Sequence, residues 1–278
     1  MKYIQITKEN IGAFKSVLDV DEMARIVNET DTFAFGAVEE DHNWGVGILS
    51  FSVLDDDTIV HRWIYVAEEF RNRGIAAEMM NKFNELVADL NVLKFLVVFP
   101  DNSKSQALIS FYEHFGYHFE RSDIHEMHVK LSELSENTLF KSSNIPDSIV
   151  SLESISPSEI AYFMGIIPQK CREHSKLISI GASDKEISSV HYDQGKIGGA
   201  LIVEHTPSGK LLPVLFQSLV QDGKSMIFLV RRTVQEAMKK YGPDVEVIIN
   251  FEQKETRALV DKLFPRKELS REWRGEHV

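Results

Sequence analysis

The loop that ends at Ala76 contains residues whose types and spacing could bind an anion. A short apolar segment and an acidic turn precede Arg71, Asn72, Arg73 and Gly74. Gly74 has no side chain to keep a ligand away from the backbone, and Ala76 has only a small one. Apolar residues recur at helical spacing from Ile75 onward, so the loop opens a helix whose first N–H groups and dipole attract anions. This pattern predicts a cradle for a pyrophosphate group.

Two common phosphate-binding loops are excluded at this position. A Walker loop needs a glycine, four residues and then Gly-Lys-Ser/Thr, and this loop has no such run. A Rossmann turn needs three glycines, whereas this loop has one. The pattern that remains, from Arg71 to Ala76, is Arg-x-x-Gly-x-Ala between a strand and a helix.

The neighbouring elements must position this loop. Ile59 to Val66 is predicted as the strand that leads into it, and the helix after Gly74 continues to Leu90. A buried strand, Lys94 to Phe99, and a helix, Ser105 to Phe115, follow. Upstream we predict a strand from Tyr3 to Thr7, helices from Lys8 to Leu18 and from Asp21 to Asn28, and strands from Thr32 to Val38 and from Gly45 to Val53. Downstream we predict a hairpin of Tyr117 to Glu120 and His125 to Leu131.

Two motifs together resemble the GNAT acetyltransferase superfamily. Arg71 to Ala76 resembles its motif A, Gln/Arg-x-x-Gly-x-Gly/Ala. Asn102 and the run Phe111-Tyr112-Glu113-His114-Phe115-Gly116-Tyr117 resemble its motif B, Asn…Leu-Tyr-Glu-x-x-Gly-Phe. The resemblance covers roughly residues 1 to 132. It implies a GNAT fold and acetyl-CoA as the cosubstrate, with the pyrophosphate held by backbone amides of the loop.

The resemblance also implies roles for individual residues. Acetyl-CoA would be bound by Tyr65, Val66, Arg71, Asn72, Arg73, Gly74, Ile75 and Ala76, and a backbone N–H of Tyr65 or Val66 could stabilise the thioester oxygen. Tyr112 matches the family's usual proton donor to the leaving thiolate. The usual motif has its Asn about seven residues before the Tyr, where this chain has Ser105, so either Asn102 or Ser105 could contact the pantetheine arm, and we favour Asn102.

The base that takes the proton of the acceptor amine is less defined. His61 lies on the strand where the family often has Glu or His, and an imidazole titrates in a useful range. A histidine on a strand can equally be structural, and the alternation of the strand could aim it away from the cleft. His61 is our candidate for the base. The run of histidines from His114 to His128 lacks metal-ligand spacing, and no metal is predicted.

The second half of the chain echoes the first. Aligning Gly223 with Gly74 places Phe264 on Phe115, but the second loop lacks the Arg-x-x-Gly-x-Ala pattern and no Tyr stands opposite Tyr112. A helix is predicted there from Thr256 to Leu263. We predict an α/β (α+β) protein with two GNAT-like domains, each a mixed, mostly antiparallel sheet flanked by helices. The domains are 1–132 and a diverged copy, 149–278, joined by a Ser- and Asn-rich linker, 133–148.

Composition limits the partners. The formal charge of −11 argues against nucleic acid, whose binding depends on Lys and Arg. The longest apolar runs are shorter than a membrane span needs, and the N-terminal residues read as a strand rather than a signal peptide. The single cysteine, Cys171, excludes an intramolecular disulfide. We expect a cytoplasmic protein that acts on a small-molecule or peptide amine and that could form a homodimer.

The function expected from the resemblance is acetyl transfer from acetyl-CoA to a primary amine by direct attack, in the N-terminal domain. A protein that binds acetyl-CoA as a sensor or scaffold, without catalysis, is the alternative. A third possibility is that the C-terminal half binds a ligand of its own.

Overall fold

The computed structural model describes residues 1–39, 44–55, 57–90, 92–167, 183–220, 223–251, 260, 264 and 269–278. The chain forms two compact units. The first consists of Met1–Asp123 together with Ser270–Val278, and the second of Ile124–Leu269. The units differ from the predicted segments because the last nine residues belong with the first unit.

The first unit contains seven strands and three α-helices within its described residues, in addition to 3-10 turns at Ile11–Phe14 and Glu68–Phe70. The helices are α1 (Val20–Asn28), α2 (Ile75–Val87) and α3 (Ser105–Glu113). The strands are β1 (Lys2–Gln5), β2 (Thr32–Glu39), β3 (Trp44–Asp55), β4 (Thr58–Val66), β5 (Lys94–Pro100), β6 (His118–Lys130), which continues into the second unit, and β12 (Ser270–His277).

The sheet of the first unit has the order β1-β2-β3-β4-β5-β12-β6. The first four strands pair antiparallel, β4 pairs parallel with β5, and β12 pairs antiparallel with β5. Successive side chains of a strand point to opposite faces. Leu49 therefore packs with α2 on one face, and Ile48 packs with Phe14 and Ile26 on the other. The sheet thus has an apolar core on each face, as a three-layer fold requires.

The second unit repeats much of this plan. Its elements are α4 (Leu131–Glu136), β7 (Ile149–Ser151), a 3-10 turn (Leu152–Ser154), α5 (Pro157–Ile166), β8 (Ser189–Asp193), β9 (Lys196–His205), β10 (Leu211–Ser218), α6 (Lys224–Tyr241) and β11 (Glu246–Phe251). The strand order is β6-β11-β10-β9-β8-β7, and β10 runs parallel to β11. Gly223 precedes α6 with φ +61°, as Gly74 precedes α2 with φ +77°. The predicted similarity between the two halves of the chain is present at this position.

Two local predictions differ from the structure. The predicted helix Lys8–Leu18 contains a 3-10 turn, Ile11–Phe14, which suits the spacing of three between Ile11, Phe14 and Val17. The predicted hairpin after Gly116 is one strand, β6, whose residues His125–Lys130 pair with β11. The partner of that strand lies more than a hundred residues away, so local patterns could not identify it.

The predicted linker, 133–148, is partly ordered within the second unit. It overlaps α4, and both Leu134 and Phe140 are buried in the apolar core of that unit. Other predictions lie outside the described residues. These are Cys171, the predicted helix Thr256–Leu263 except for Val260, and most of the turn between Glu39 and Trp44.

Candidate active site

Strands β4 and β5 separate at the centre of the first unit. Their register pairs Thr58–His61 with Lys94–Val97, and in this fully described region it pairs no residue beyond His61. Both strands nevertheless continue, β4 to Val66 and β5 to Pro100. The register between β3 and β4 also shifts at Arg62, as in a β-bulge. The ends of two parallel strands thus diverge, which leaves main-chain groups of β4 without a strand partner on the β5 side.

Val66 is the residue whose N–H faces that opening. Ala67 donates its N–H to the carbonyl of Val46 at 2.8 Å, which fixes the alternation of hydrogen-bonded pairs between β3 and β4. In an antiparallel ladder the next residue toward the strand interior has its N–H on the opposite edge. Tyr65 is therefore bonded to β3, whereas the N–H of Val66 points away from β3. Of the two predicted donors to a thioester oxygen, the geometry supports Val66.

The loop after β4 forms the predicted cradle. Asn72 and Gly74 have left-handed backbone conformations, with φ of +60° and +77°. Gly74 is the N-cap of α2 and has no side-chain cap, so the helix starts with free N–H groups. Among the described residues, no acceptor contacts the N–H groups of Arg73, Gly74, Ile75 or Ala76. A Cβ at Gly74 would meet no atom within 4 Å, so the space beside the backbone at Gly74 is open.

The two arginines hold the loop in place, and Nη1 of Arg71 also pairs with Oε1 of Glu68 at 3.3 Å. Arg71 donates from Nε to the carbonyl of Val66 at 2.9 Å, and its guanidinium lies 5.3 Å from the ring centre of Tyr65. Arg73 donates from Nη2 to the carbonyl of Glu69 at 2.8 Å. Both side chains belong to exposed residues. Free N–H groups, a helix N-terminus and two guanidinium groups together form a site suited to a pyrophosphate.

Tyr112 lies on α3 and packs against His61, the last residue of β4 that pairs with β5. It is 1% exposed, and its ring packs edge-on against Tyr117 and His61. Its hydroxyl has no hydrogen-bond partner among the described residues. Burial, and to a lesser extent the neighbouring Tyr117, raises the pKa of Tyr112 far above its usual value of 10. The phenol is therefore protonated throughout the physiological range and can donate a hydrogen bond.

His61 occupies the core rather than an open cleft. It is 1% exposed, and its Nε2 lies 2.9 Å from the hydroxyl of Tyr117. Its Nδ1 is buried without a partner within the described structure. Burial lowers the pKa of His61 from 6.5 to about 3. This position does not favour the predicted role of His61 as the base, because the imidazole has no direct path to a substrate.

Asn102 and Ser105 lie in the turn between β5 and α3, and they differ in what they can offer a ligand. Ser105 is buried, and its hydroxyl accepts from the N–H of Asn102 at 2.7 Å and donates to the carbonyl of Pro100 at 3.0 Å. Asn102 is exposed, and its Oδ1 accepts from the N–H of Lys104 at 2.8 Å. The amide NH₂ of Asn102 is the group that this turn presents outward, so the geometry favours Asn102 over Ser105.

Sequence reasoning did not identify three features of this site. These are the separation of β4 and β5, the pairing of His61 with Tyr117, and the contacts of β12 with the turn after β5. Tyr117 did carry a signal, because it ends the second motif. The other two features depend on which strands become neighbours, which a single strand does not encode.

No group of three or more His, Cys, Asp or Glu side chains among the described residues is arranged to hold a metal ion. No described helix is both long enough and apolar enough to cross a membrane.

Residues 31–119 match the family model of the acetyltransferase (GNAT) domain. The comparison with curated proteins gave no match. Among solved structures, the chain is similar to a tandem GNAT protein from the clavulanic acid biosynthesis pathway, with 13% identity and a TM-score of 0.72 over 99% of this chain and 98% of that one.

Two further structures are similar over nearly the whole chain. One is a GCN5-related glucosamine N-acetyltransferase region of a fungal multi-domain GH3 β-N-acetylglucosaminidase, with 12% identity and a TM-score of 0.67 over 100% of this chain and 38% of that one. The other is a GCN5-related N-acetyltransferase from Sphaerobacter thermophilus, with 16% identity and a TM-score of 0.60 over 97% and 84%. At these identities the likeness establishes a shared fold. Residues 31–119 of the first unit thus match the GNAT domain model, and the chain shares the tandem GNAT fold of the first of these structures.

Proposed function

We propose that the first unit transfers an acetyl group from acetyl-CoA to the primary amine of a small molecule or peptide. The observation that carries this proposal is the cradle at Gly74 beside the opening between β4 and β5. Acetyl-CoA needs an anion site for its pyrophosphate and a channel for its pantetheine arm, and these two features adjoin. When bound, acetyl-CoA supplies an activated acetyl group, whose C–S bond breaks as the bond to the acceptor nitrogen forms.

The side chains and main-chain groups of the first unit have separate tasks in this proposal. The N–H groups of Arg73 to Ala76, with the guanidinium of Arg71, bind the pyrophosphate. The amide of Asn102 donates to the pantetheine arm. The N–H of Val66 stabilises the negative charge that develops on the carbonyl oxygen during the attack.

Tyr112 stabilises the thiolate that leaves. A thiol has an ordinary pKa of about 8.5, well below the raised pKa of this buried phenol, so complete proton transfer from Tyr112 would be uphill. Tyr112 therefore acts as a hydrogen-bond donor to the sulfur. The thiolate can take its final proton from solvent.

The acceptor nitrogen must be unprotonated when it attacks. His61 is too deeply buried to contact it, and we assign no side chain as the base. In this proposal the amine loses its proton to water at the mouth of the opening. His61 instead positions Tyr117, and through their shared aromatic packing it positions Tyr112. The cytoplasmic location, the possible homodimer and the absence of nucleic-acid and membrane partners stay predictions.

Thiol release measured with a panel of amines tests this proposal. The panel contains aminoglycosides, polyamines, amino acids and peptides with a free N-terminus, and each is assayed with the wild type and with Tyr112→Phe. We expect amine-dependent release of CoA thiol that is strongly reduced in the variant, while acetyl-CoA affinity is retained. Binding of acetyl-CoA without release for any amine would contradict the proposal and favour a sensor.

A further inference from the structure

We infer that Trp273, on the last strand of the chain, is a positioning residue for the turn that carries Asn102, and so sets the affinity for the pantetheine arm. The inference rests on the function proposed above. Trp273 follows the second unit in the sequence, yet β12 pairs with β5 in the first unit, with Trp273 opposite Phe99. Residues near the C-terminus thereby reach the turn that follows β5.

Asp101 is the residue through which Trp273 acts. The indole Nε1–H of Trp273 donates to Oδ1 of Asp101 at 3.0 Å. Arg121 contacts the other carboxylate oxygen at 2.9 Å, and its guanidinium lies 5.2 Å from the ring centre of Trp273. The N–H of Asp101 donates to the carbonyl of Arg271 at 2.6 Å. The carboxylate and the backbone of Asp101 are therefore both fixed by β12 and by Arg121.

Asp101 in turn fixes its neighbour Asn102. The N–H of Asn102 donates to the hydroxyl of Ser105, and its Oδ1 accepts from the N–H of Lys104. These bonds set the start of α3, the helix that carries Tyr112 two turns later. A short series of contacts therefore links Trp273 to the amide of Asn102, which we propose donates a hydrogen bond to the pantetheine arm.

These contacts are suited to positioning rather than to holding the fold together. The side chain of Arg121 is 53% exposed and that of Asp101 is 26% exposed. Partly exposed ion pairs contribute little to global stability. A hydrogen bond that fixes a binding loop can still matter for affinity, because a ligand then does not have to order the loop itself. Loss of the indole donor should therefore be visible in binding more than in unfolding.

The test compares Trp273→Phe with Arg274→Gln, measured by calorimetric titration and by thiol release. Trp273→Phe keeps an aromatic ring under Arg121 and removes the donor to Asp101. Arg274→Gln changes the next residue of the same strand, whose side chain forms an ion pair with Glu276, outside the turn. We expect the Kd and KM for acetyl-CoA to rise roughly three- to tenfold in Trp273→Phe, from the loss of one charge-assisted hydrogen bond. The kcat should change less than about twofold, and Arg274→Gln should resemble the wild type.

ADP separates a positioning role from a general structural one. It carries the pyrophosphate but no pantetheine arm, so Trp273→Phe should bind it like the wild type. Equal loss of ADP and acetyl-CoA affinity, or unchanged acetyl-CoA affinity, would overturn the inference. Asp101→Ala, which removes the acceptor of the indole N–H, provides a second route if Trp273→Phe fails to fold, and the same pattern is expected. A wild type that does not bind acetyl-CoA at all would instead contradict the proposed function.

Discussion

The buried imidazole of His61 should make the first unit less stable in mild acid. Burial lowers the pKa of His61 to about 3 in the folded protein, whereas the unfolded chain keeps the ordinary value of 6.5. Between these pH values the unfolded state binds a proton that the folded state does not. The free energy of unfolding therefore falls as the pH falls below 6.5, and it continues to fall until about pH 3. Above pH 6.5 the imidazole is neutral in both states and contributes no pH dependence.

The magnitude follows from the shift. Each pH unit between the two pKa values corresponds to about 1.4 kcal/mol, so the loss between pH 7 and pH 5 is about 2 kcal/mol. The assay is urea unfolding of the wild type and of His61→Asn at several pH values. Trp44, Trp63 and Trp273, the three tryptophans of the chain, all belong to the first unit, so their fluorescence reports its unfolding. The other histidines are common to both proteins, and their contributions cancel in the difference.

We expect the stability advantage of the wild type over His61→Asn to shrink by about 2 kcal/mol from pH 7 to pH 5. A difference that stays constant over this range would refute the reasoning. It would mean that His61 ionises in the folded protein as an exposed imidazole does, and it would restore His61 as a candidate base. Titration of the His61 ring by NMR in the wild type also shows whether the imidazole ionises as an exposed one does, and it needs no variant.

Three further changes have defined outcomes. Tyr112→Phe should lower kcat about 10- to 100-fold, because the hydrogen bond to the leaving sulfur is lost, and should leave the Kd for acetyl-CoA unchanged. Thiol release measures the kcat and calorimetry measures the Kd. A kcat equal to that of the wild type would contradict this prediction. Arg71→Ala should weaken acetyl-CoA about three- to tenfold at low salt and less at high salt, in titrations at two ionic strengths; a salt-independent loss would argue against an electrostatic role. In the second unit, Asp184→Asn should lower stability by about 1–2 kcal/mol at pH 7, because Asp184 accepts from Tyr241 and Lys240. The pKa of Asp184 is lowered from 3.8 by these bonds, which outweigh desolvation, so the effect should fade in urea melts as the pH falls below 3.8.

Local sequence patterns predicted the elements that form the site. The apolar spacing after Gly74 predicted α2, and the Arg-x-x-Gly-x-Ala run predicted a loop that opens a helix; the structure has a left-handed Gly74 at that N-cap. The two motifs and the echo at Gly223 led to the tandem GNAT fold. These features are encoded within short segments, because helix spacing and glycine conformations are properties of neighbouring residues.

The features that the sequence did not predict depend on contacts between distant segments. His61 has the residue type of a base, and its burial depends on the rings of Phe83, Tyr112 and Tyr117, which come from other elements of the unit. Strand β12 pairs with β5, about 170 residues earlier in the chain. The alternation of side chains along a strand does not identify the strand it pairs with, because pairing uses main-chain groups that every residue has. The contact of Trp273 with Asp101 follows from that pairing and has no local signal.

Calorimetric titration of acetyl-CoA into the wild type, Gly74→Glu and Gly223→Glu is the most direct test of the central claim. The two glycines are matched, because each is a left-handed N-cap with open space around its Cβ position. Either change introduces backbone strain of about 1–2 kcal/mol, so strain alone should affect both alike. We expect one site per chain in the wild type, loss of binding in Gly74→Glu and wild-type binding in Gly223→Glu. Retained binding in Gly74→Glu would contradict the assignment of the first unit as the acetyl-CoA site.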